Sequence, residues 1–190
     1  MNAPILITVY DREVHFKKTI ESLLRCHEVC LTSIYIAIDG PVTSEASERQ
    51  KSIKSYVSNI VGFKSINVIQ RSSNYGALKN SAEARKEIFK KYDQLIRTED
   101  DNEFSPHFLT YMNEGLKLFK DDESVFAVCG YLEPIKLLAH KDTFLRQGFT
   151  SNGFGIWKSK FKQMESSQIR IKMEGGSFLN FRKMLSVMGY

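Results

Sequence analysis

Short apolar segments alternate with amphipathic segments over the first 130 residues of the chain. The apolar segments are rich in β-branched residues, which is typical of strands buried on both faces of a sheet. They are found at residues 5–9, 34–38, 66–69, 95–96 and 125–129. Each of the first four is followed by apolar residues at helical spacing, which predicts an amphipathic helix that packs on the sheet.

The alternation predicts an α/β fold, with a mainly parallel sheet flanked by helices. N-cap residues and a proline mark the expected helix starts at Asp11, at Thr43 or Ser44, and at Ser105 with Pro106. A further helix is expected from about Leu78, where apolar residues recur at four-residue steps. After Gly130 the alternation stops. We therefore divide the chain into an α/β half, residues 1–130, and a further segment of the same domain, residues 131–190.

Composition limits the class of protein. Hydrophobic residues make up 42% of the chain and charged residues 26%, as in ordinary globular proteins. No apolar run reaches the roughly 20 residues that span a bilayer, and the N-terminus lacks a signal-peptide pattern, so we expect a cytoplasmic location. The three cysteines are odd in number, which argues against a disulfide framework and favours a reducing compartment.

The formal net charge of +5 fits anionic partners such as nucleotide phosphates or an anionic membrane surface. Nucleic acid is a weaker fit, because the lysines are scattered along the chain rather than massed on one stripe. Charge alone does not choose between a nucleotide and a membrane.

Three adjacent acids, Glu99, Asp100 and Asp101, directly follow the fourth predicted strand. Burying unpaired carboxylates would be costly. At the open end of a sheet, however, they can face a hard divalent cation, which takes oxygen ligands, and this is where open α/β sheets bind ligands. The alternative is a solvated acidic loop, which is the commoner case for an acid triplet in isolation.

Residues 147–157 are rich in glycine and aromatic residues and contain the single tryptophan, Trp157. This composition predicts a loop with two possible roles. It could form a tight core turn, with glycine supplying a positive φ. It could also form an aromatic platform against the apolar face of a sugar ring. The residues alone leave both interpretations open.

Together these features resemble the nucleotide-sugar-dependent glycosyltransferases of the GT-A fold, in particular N-acetylglucosaminyltransferase I and bacterial polysaccharide glycosyltransferases. The resemblance covers residues 4–157. The matching motifs are Tyr10-Asp11-Arg12, Asp39, Asn74-Tyr75-Gly76, Glu99-Asp100-Asp101 and Ser151–Trp157. Phe154 and Ile156 depart from the pattern, because bacterial relatives often carry tryptophan there. The family usually runs well past this length, so residues 158–190 would be a shortened or truncated acceptor region.

The resemblance implies roles for these residues. Arg12 would contact the donor phosphates, and Asp39 would read the uracil ring. Asp101 would bind Mn²⁺ or Mg²⁺ directly, while Glu99 and Asp100 would serve the ribose or the metal-bound waters. The expected donor-binding residues are Tyr10, Arg12, Asp39, Asn74, Glu99 and Asp100.

The implied reaction is metal-dependent transfer of a sugar from a UDP-sugar to a glycan or lipid-linked acceptor, as in bacterial polysaccharide biosynthesis. Residues 1–130 would bind the nucleotide sugar, and residues 131–190 would lie on the acceptor side. An inverting enzyme needs a carboxylate base near the acceptor hydroxyl. Glu174 is the candidate by its position after the aromatic segment, and Glu165 is second, although glutamates are more often surface acids. The basic charge would suit peripheral association with the inner face of a membrane.

Two other function classes remain open. A nucleotidyltransferase would form the nucleotide sugar on a related sheet, but that class needs a glycine-rich phosphate loop after the first strand, and Tyr10-Asp11-Arg12 contains no glycine. A nucleotide- or sugar-binding module without turnover would keep the donor site and lack a completed acceptor site.

Overall fold

The computed structural model describes residues 1–132, 145 and 148–163. The alternation of strand and helix predicted for the first 130 residues is confirmed. The elements in chain order are β1 (Ile5–Val9), α1 (Glu13–Leu24), a 3₁₀ turn (Val29–Leu31), β2 (Ser33–Ile38), α2 (Ser44–Ser58), β3 (Ser65–Gln70), α3 (Ala77–Ile88), β4 (Gln94–Glu99), α4 (Phe108–Leu118), β5 (Ala127–Cys129) and β6 (Phe154–Trp157).

The described strands form one sheet in the order β3-β2-β1-β4-β6-β5. The first four strands are parallel, whereas β6 is antiparallel to both of its neighbours. From β1 the chain adds β2 and β3 on one side and then returns to place β4 on the other side. The strand order therefore reverses between β1 and β4, which is the point where open α/β sheets bind ligands.

Both faces of the sheet are covered by helices, which explains the continuous apolar runs. Every residue of β2 is buried. Ile5, Ile7 and Val9 of β1 pack with the apolar sides of α1, α2 and α4. Leu6 points to the opposite face and packs in a second cluster with α3. None of the helices in the described ranges is long and apolar enough to cross a membrane.

Of the four predicted helix starts, two are confirmed and two are wrong. Helix α3 begins at Ala77, beside the predicted Leu78. Thr43 caps α2, because its hydroxyl accepts a hydrogen bond from the Ala46 N–H at 3.1 Å. Asp11 does not cap α1; its carboxylate instead accepts hydrogen bonds from the Arg49 guanidinium. Ser105 and Pro106 do not start α4, whose N-cap is His107.

Helix α4 begins at Phe108 rather than at Pro106. The Pro106 carbonyl accepts a hydrogen bond from the His27 N–H at 2.8 Å, and the Ser105 carbonyl accepts one from the Phe108 N–H. These bonds tie residues 105–107 to the end of α1 as a turn. The helix therefore starts two residues after Pro106, the position predicted from the sequence.

The glycine- and aromatic-rich segment contains a strand and is not a loop throughout. Residues 154–157 form β6, and all four are buried. Phe154 and Ile156 pack in the cluster with α3, whereas Trp157 points to the opposite face and donates from Nε1 to the Leu116 carbonyl at 3.1 Å. For these four residues the core interpretation is the correct one. The sheet therefore takes one strand from beyond residue 130.

Candidate functional site

Strand register brings four loops to one edge of the sheet. Thr8 of β1 lies opposite Glu99 of β4, and Ile38 of β2 lies opposite Val9 and Gln70. The loops that follow these parallel strands, residues 10–12, 39–43, 71–76 and 100–107, therefore meet at what we call the carboxyl edge. All of the described residues predicted to form the site follow β1, β2, β3 or β4 at this edge, except Glu99, which ends β4.

Arg12 joins the loop after β1 to the acids after β4. Its Nε and Nη2 donate to the two carboxylate oxygens of Asp100, with Nε at 3.3 Å from Oδ2. Its Nη1 donates to Oδ2 of Asp101 at 3.0 Å. One guanidinium thus contacts two carboxylates across the β1–β4 reversal point.

The two carboxylates differ in exposure. The Asp100 side chain is 5% exposed, whereas those of Asp101 and Arg12 are 37% and 47% exposed. The hydrogen bond to Asp100 raises the pKa of Arg12, so the guanidinium stays charged. Burial raises the pKa of Asp100, and the hydrogen bond and charge of Arg12 oppose that effect. One positive charge faces two acids, which leaves the trio with a net negative charge and Asp101 as its accessible carboxylate.

Asp39 holds the turn before α3. It is 4% exposed. Its Oδ1 accepts from the N–H groups of Gly40 and Tyr75 at 2.9 and 2.8 Å, and its Oδ2 accepts from the Gly76 N–H at 2.8 Å. In the structure this carboxylate therefore organises the loop after β3. Recognition of a uracil ring by Asp39 remains a prediction.

Asn74 and Gly40 bring the same two loops together. The Asn74 side-chain amide donates to the Gly40 carbonyl at 2.9 Å. A Cβ on Gly40 would lie 2.2 Å from the carbonyl carbon of Ser73, so only glycine permits this approach. Tyr10 links the loop after β1 to the loop after β2, because its hydroxyl accepts a hydrogen bond from the Val42 N–H at 3.1 Å.

Glu99 is set apart from the other two acids. Its carboxylate accepts a hydrogen bond from Arg97 Nη2 at 3.3 Å, and its side chain is 46% exposed. The three adjacent acids therefore do not act as one cluster. Asp100 and Asp101 are paired with Arg12, while Glu99 is paired with a residue of its own strand.

Gln50 is a residue of this edge that the sequence analysis missed. It is 1% exposed, and its Nε2 donates to the carbonyls of Tyr10 and Asp39 at 2.9 and 2.8 Å. It thus ties the ends of β1 and β2 to α2. A signal was present in the sequence, because Gln50 interrupts the otherwise apolar buried face of α2, which contains Ala46, Ile53 and Val57.

Arg71 was also missed. Its Nε donates to Asn80 at 3.1 Å and its Nη1 to Glu87 at 3.0 Å. Its Nη2 is buried and has no hydrogen-bond acceptor within the described ranges. The guanidinium carbon also lies 5.3 Å from the ring centre of Tyr75, and Lys79 Nζ lies 4.4 Å from the same ring. The turn at Tyr75 is therefore flanked by two cations.

Aromatic side chains border the acid loop. The rings of Phe104 and Phe108 stack with centroids 4.1 Å apart. Gly153, with φ at 76°, lies against them, since a Cβ there would approach the Phe104 ring to 2.9 Å. The turn before β6 thus reaches the carboxyl edge, because Phe154 pairs with Arg97 of β4.

Glu174 and Glu165, the candidate bases, are outside the described residues. His107 packs against His27, with ring centroids 4.8 Å apart. The structure therefore brings Tyr10, Arg12, Asp39, Asn74, Asp100 and Asp101 to one edge and leaves the position of a base undescribed.

The donor set at the carboxyl edge suits a hard cation only in part. Carboxylate oxygen is a preferred ligand of Mn²⁺ and Mg²⁺, and Mg²⁺ is commonly bound through one or two carboxylates together with substrate phosphates. In the part of the chain that the structure describes, no group of three or more His, Cys, Asp or Glu side chains could hold an ion. The residues fit a cation that Asp101 shares with phosphate oxygens, rather than one enclosed by protein ligands alone.

No family model matches the sequence, and a search of curated proteins gives no match. Solved structures do match. The mannosyltransferase PcManGT from Pyrobaculum calidifontis, in complex with GDP-Man and Mn²⁺, has a TM-score of 0.56 and 9% identity over 86% of this chain and 46% of its own. TarS 1–349 from S. aureus, in complex with UDP-GlcNAc, has a TM-score of 0.49 and 15% identity over 67% of this chain and 33% of its own.

This chain spans less than half the length of either structure. At these identities the likeness concerns the fold, and it is the mannosyltransferase match that supports it. The order of strands and helices, the mainly parallel sheet and this match agree with one another. The chain has the GT-A fold that its sequence motifs predicted.

Proposed function

We propose that this chain is the donor-binding part of a glycosyltransferase that moves a sugar from a UDP-sugar to a glycan or lipid-linked acceptor, with a divalent cation. The observation that carries the proposal is the contact of Arg12 with Asp100 and Asp101 between β1 and β4. An open α/β sheet binds ligands at this reversal point. A guanidinium beside an accessible carboxylate offers one group for phosphate and one for a cation.

The loops at the carboxyl edge would receive the nucleotide. Asp39 and Asn74 fix the turn at residues 74–76 against Gly40, so this surface is formed before any ligand binds. We assign the nucleobase of the donor to this side of the carboxyl edge, with Tyr10 and Asp39 as the donor-binding residues nearest to it. The choice of uracil as the nucleobase follows from the resemblance alone. The mannosyltransferase that shares the fold is bound to GDP-Man, so a guanosine donor belongs in the test.

Charge explains how these residues would promote transfer. When the sugar leaves, negative charge develops on the diphosphate. Arg12 would donate charge-assisted hydrogen bonds to those oxygens. Asp101 would hold Mn²⁺ or Mg²⁺, which stabilises a departing diphosphate as a Lewis acid. Glu99 and Asp100 would serve the ribose or metal-bound waters, and burial of Asp100 against Arg12 fixes the position of that pair.

The acceptor side rests on residues outside the described ranges. We propose Glu174 as the base for the acceptor hydroxyl and Glu165 as the second candidate, because an inverting transfer needs such a carboxylate. Residues 1–130 would supply donor binding, and residues 131–190 the acceptor side. We propose a cytoplasmic location, and the net charge of +5 supports approach to an anionic membrane surface that carries a lipid-linked acceptor.

A thermal-shift panel of UDP- and GDP-sugars with and without Mn²⁺ tests the proposal. At a ligand concentration of about 100 times Kd, binding adds about 2.7 kcal/mol to stability, which corresponds to a rise in Tm of about 5–10 °C for a chain of this size. We expect such a rise for a UDP-sugar only with Mn²⁺, and we expect Asp101→Ala to abolish it. Asp93→Ala removes an acid whose side chain is 94% exposed and serves as the control.

Each outcome separates the alternatives. Equal shifts in the wild-type protein and Asp101→Ala would remove Asp101 from the site. A shift for a UDP-sugar without release or transfer of its sugar would indicate a binding module. Formation of a UDP-sugar from UTP and a sugar phosphate would indicate a nucleotidyltransferase. The absence of any shift across the panel would contradict the proposed donor class.

A further inference from the structure

Arg12 is hydrogen-bonded to the carboxylate of Asp101, which a cation would need as a ligand. Of its three hydrogen-bond contacts with the acids, two go to Asp100 and one goes to Oδ2 of Asp101. Asp100 is almost completely buried, whereas Asp101 is the exposed member of the pair. The contact with Asp101 is therefore the one that solvent, a cation or a ligand can reach.

We propose that Arg12 acts as a positioning residue that makes cation binding depend on the diphosphate. In the nucleotide-free protein, its Nη1 holds Asp101 and excludes a divalent cation. When a diphosphate binds, Nη1 moves from Asp101 to a phosphate oxygen, and Asp101 becomes free to bind the cation. This inference rests on the proposed function, because it takes the ligand to be a nucleoside diphosphate.

Charge supports this order of events. Arg12, Asp100 and Asp101 together carry a single net negative charge, and the pair of Arg97 with Glu99 beside them is neutral. A dication approaching Asp101 alone would lie next to the positive guanidinium and would gain little. A diphosphate reverses this balance, since it supplies oxygens to the cation and a charged acceptor to Nη1 of the guanidinium.

The arrangement also permits a small movement. The two hydrogen bonds from Nε and Nη2 to Asp100 can persist, because the buried carboxylate needs a partner. The Arg12 side chain is 47% exposed, which leaves its Nη1 end accessible to a ligand. Only the bond to Asp101 has to break for the exchange to take place.

The experiment measures Mn²⁺ binding to the nucleotide-free protein by EPR, which needs no turnover. We expect Arg12→Gln to bind Mn²⁺ about tenfold more tightly than the wild-type protein, which is the size of a typical coupling between two binding interactions. The matched control is Arg49→Gln. Arg49 is 53% exposed and pairs with Asp11 near the carboxyl edge, with Nε at 2.9 Å from Oδ2, so its removal deletes one positive charge without freeing Asp101. We expect it to leave Mn²⁺ affinity within about twofold of wild type, as for an exposed pair of modest strength.

Circular dichroism would detect loss of the fold in Arg12→Gln. In that case a second variant, Arg12→Lys, tests the same inference. Arg12→Lys keeps a charged partner for Asp100 but lacks the planar fork of donors with which Arg12 spans both carboxylates. It should bind Mn²⁺ more tightly than wild type and less tightly than Arg12→Gln. If neither folded Arg12 variant bound Mn²⁺ more tightly than Arg49→Gln, the inference would be overturned.

Addition of UDP separates this inference from the proposed function. With UDP present, Mn²⁺ affinity of the wild-type protein should rise about tenfold, and the rise should be smaller in Arg12→Gln, because the block is already gone. Failure of any nucleotide sugar to bind would contradict the proposed function, yet the nucleotide-free comparison would still decide the role of Arg12. Tight UDP binding with equal Mn²⁺ affinity in all variants would contradict only the role of Arg12.

Discussion

At the scale of single residues, the carboxyl edge is built from polar side chains whose partners are mostly backbone groups. Asp39 accepts hydrogen bonds from Gly40, Tyr75 and Gly76, and Gln50 donates to two carbonyls at strand ends. Burying a polar group is costly unless it is hydrogen-bonded. The loops after β1, β2 and β3 are thus held in place by these two side chains, independently of any ligand.

Asp39→Asn should lower the free energy of unfolding by about 1–3 kcal/mol, because the amide replaces one acceptor oxygen with a donor that faces a buried N–H. Urea unfolding followed by circular dichroism measures the difference. Asp93→Asn is the control, since its side chain is 94% exposed. Equal stability of the two variants would show that the Asp39 carboxylate does not hold the turn.

At the scale of elements, β6 is the feature that changes the sheet. It enters between β4 and β5 and pairs antiparallel with both, so the parallel part of the sheet ends at β4. Its start also places Gly153 against Phe104 beside the acid loop. One segment therefore completes the core with residues 154–157 and borders the candidate site with the turn that precedes them.

Ile156→Ala should destabilise the protein by about 2–5 kcal/mol, because Ile156 is 2% exposed and its loss leaves a cavity. Leu118→Ala should change stability by less than about 0.5 kcal/mol, since Leu118 is 75% exposed. Chemical denaturation of both variants makes the comparison. A cost for Ile156→Ala as small as that for Leu118→Ala would mean that residues 154–157 form a surface loop.

At the scale of the whole molecule, the described sheet has a protected centre and an exposed edge at β3. β1 and β2 are buried between helices on both faces, whereas β3 lies at the edge of the described sheet with several half-exposed residues. The candidate site lies beside the central strands, where the loops have the most rigid support. Local opening should therefore begin away from Arg12 and Asp100.

Hydrogen exchange tests this distribution of stability. Peptides that cover Ile5–Val9 and Ser33–Ile38 should exchange most slowly, and those that cover Ser65–Gln70 should exchange faster, because an edge strand opens without unfolding the core. Mass spectrometry of peptic fragments measures both in one sample. Equal protection of the edge and central strands would mean that the sheet opens only as a single cooperative unit.

Much of the fold could be predicted from the sequence. The apolar runs that became β1, β2 and β3 have the length and β-branching of buried strands, and these strands form close to the predicted bounds. The run Leu95–Ile96 marked β4 and placed the acids just after it. The acids at the end of β4 could be named from their position at the edge of a parallel sheet, whereas Tyr10, Arg12, Asp39 and Asn74 were named through the resemblance.

The partners of these residues could not be predicted. Arg12 lies 88 positions before Asp100, and their contact exists only because β4 returns to pair with β1. Periodicity indicates which residues are buried, but it does not indicate against what. For the same reason, the strand nature of residues 154–157 depended on an open position beside β4. The sequence by itself determined the elements from β1 to β5 and the residues at their ends. Only the tertiary structure decided which of those ends would meet, because contacts between distant segments depend on the order of strands in the sheet.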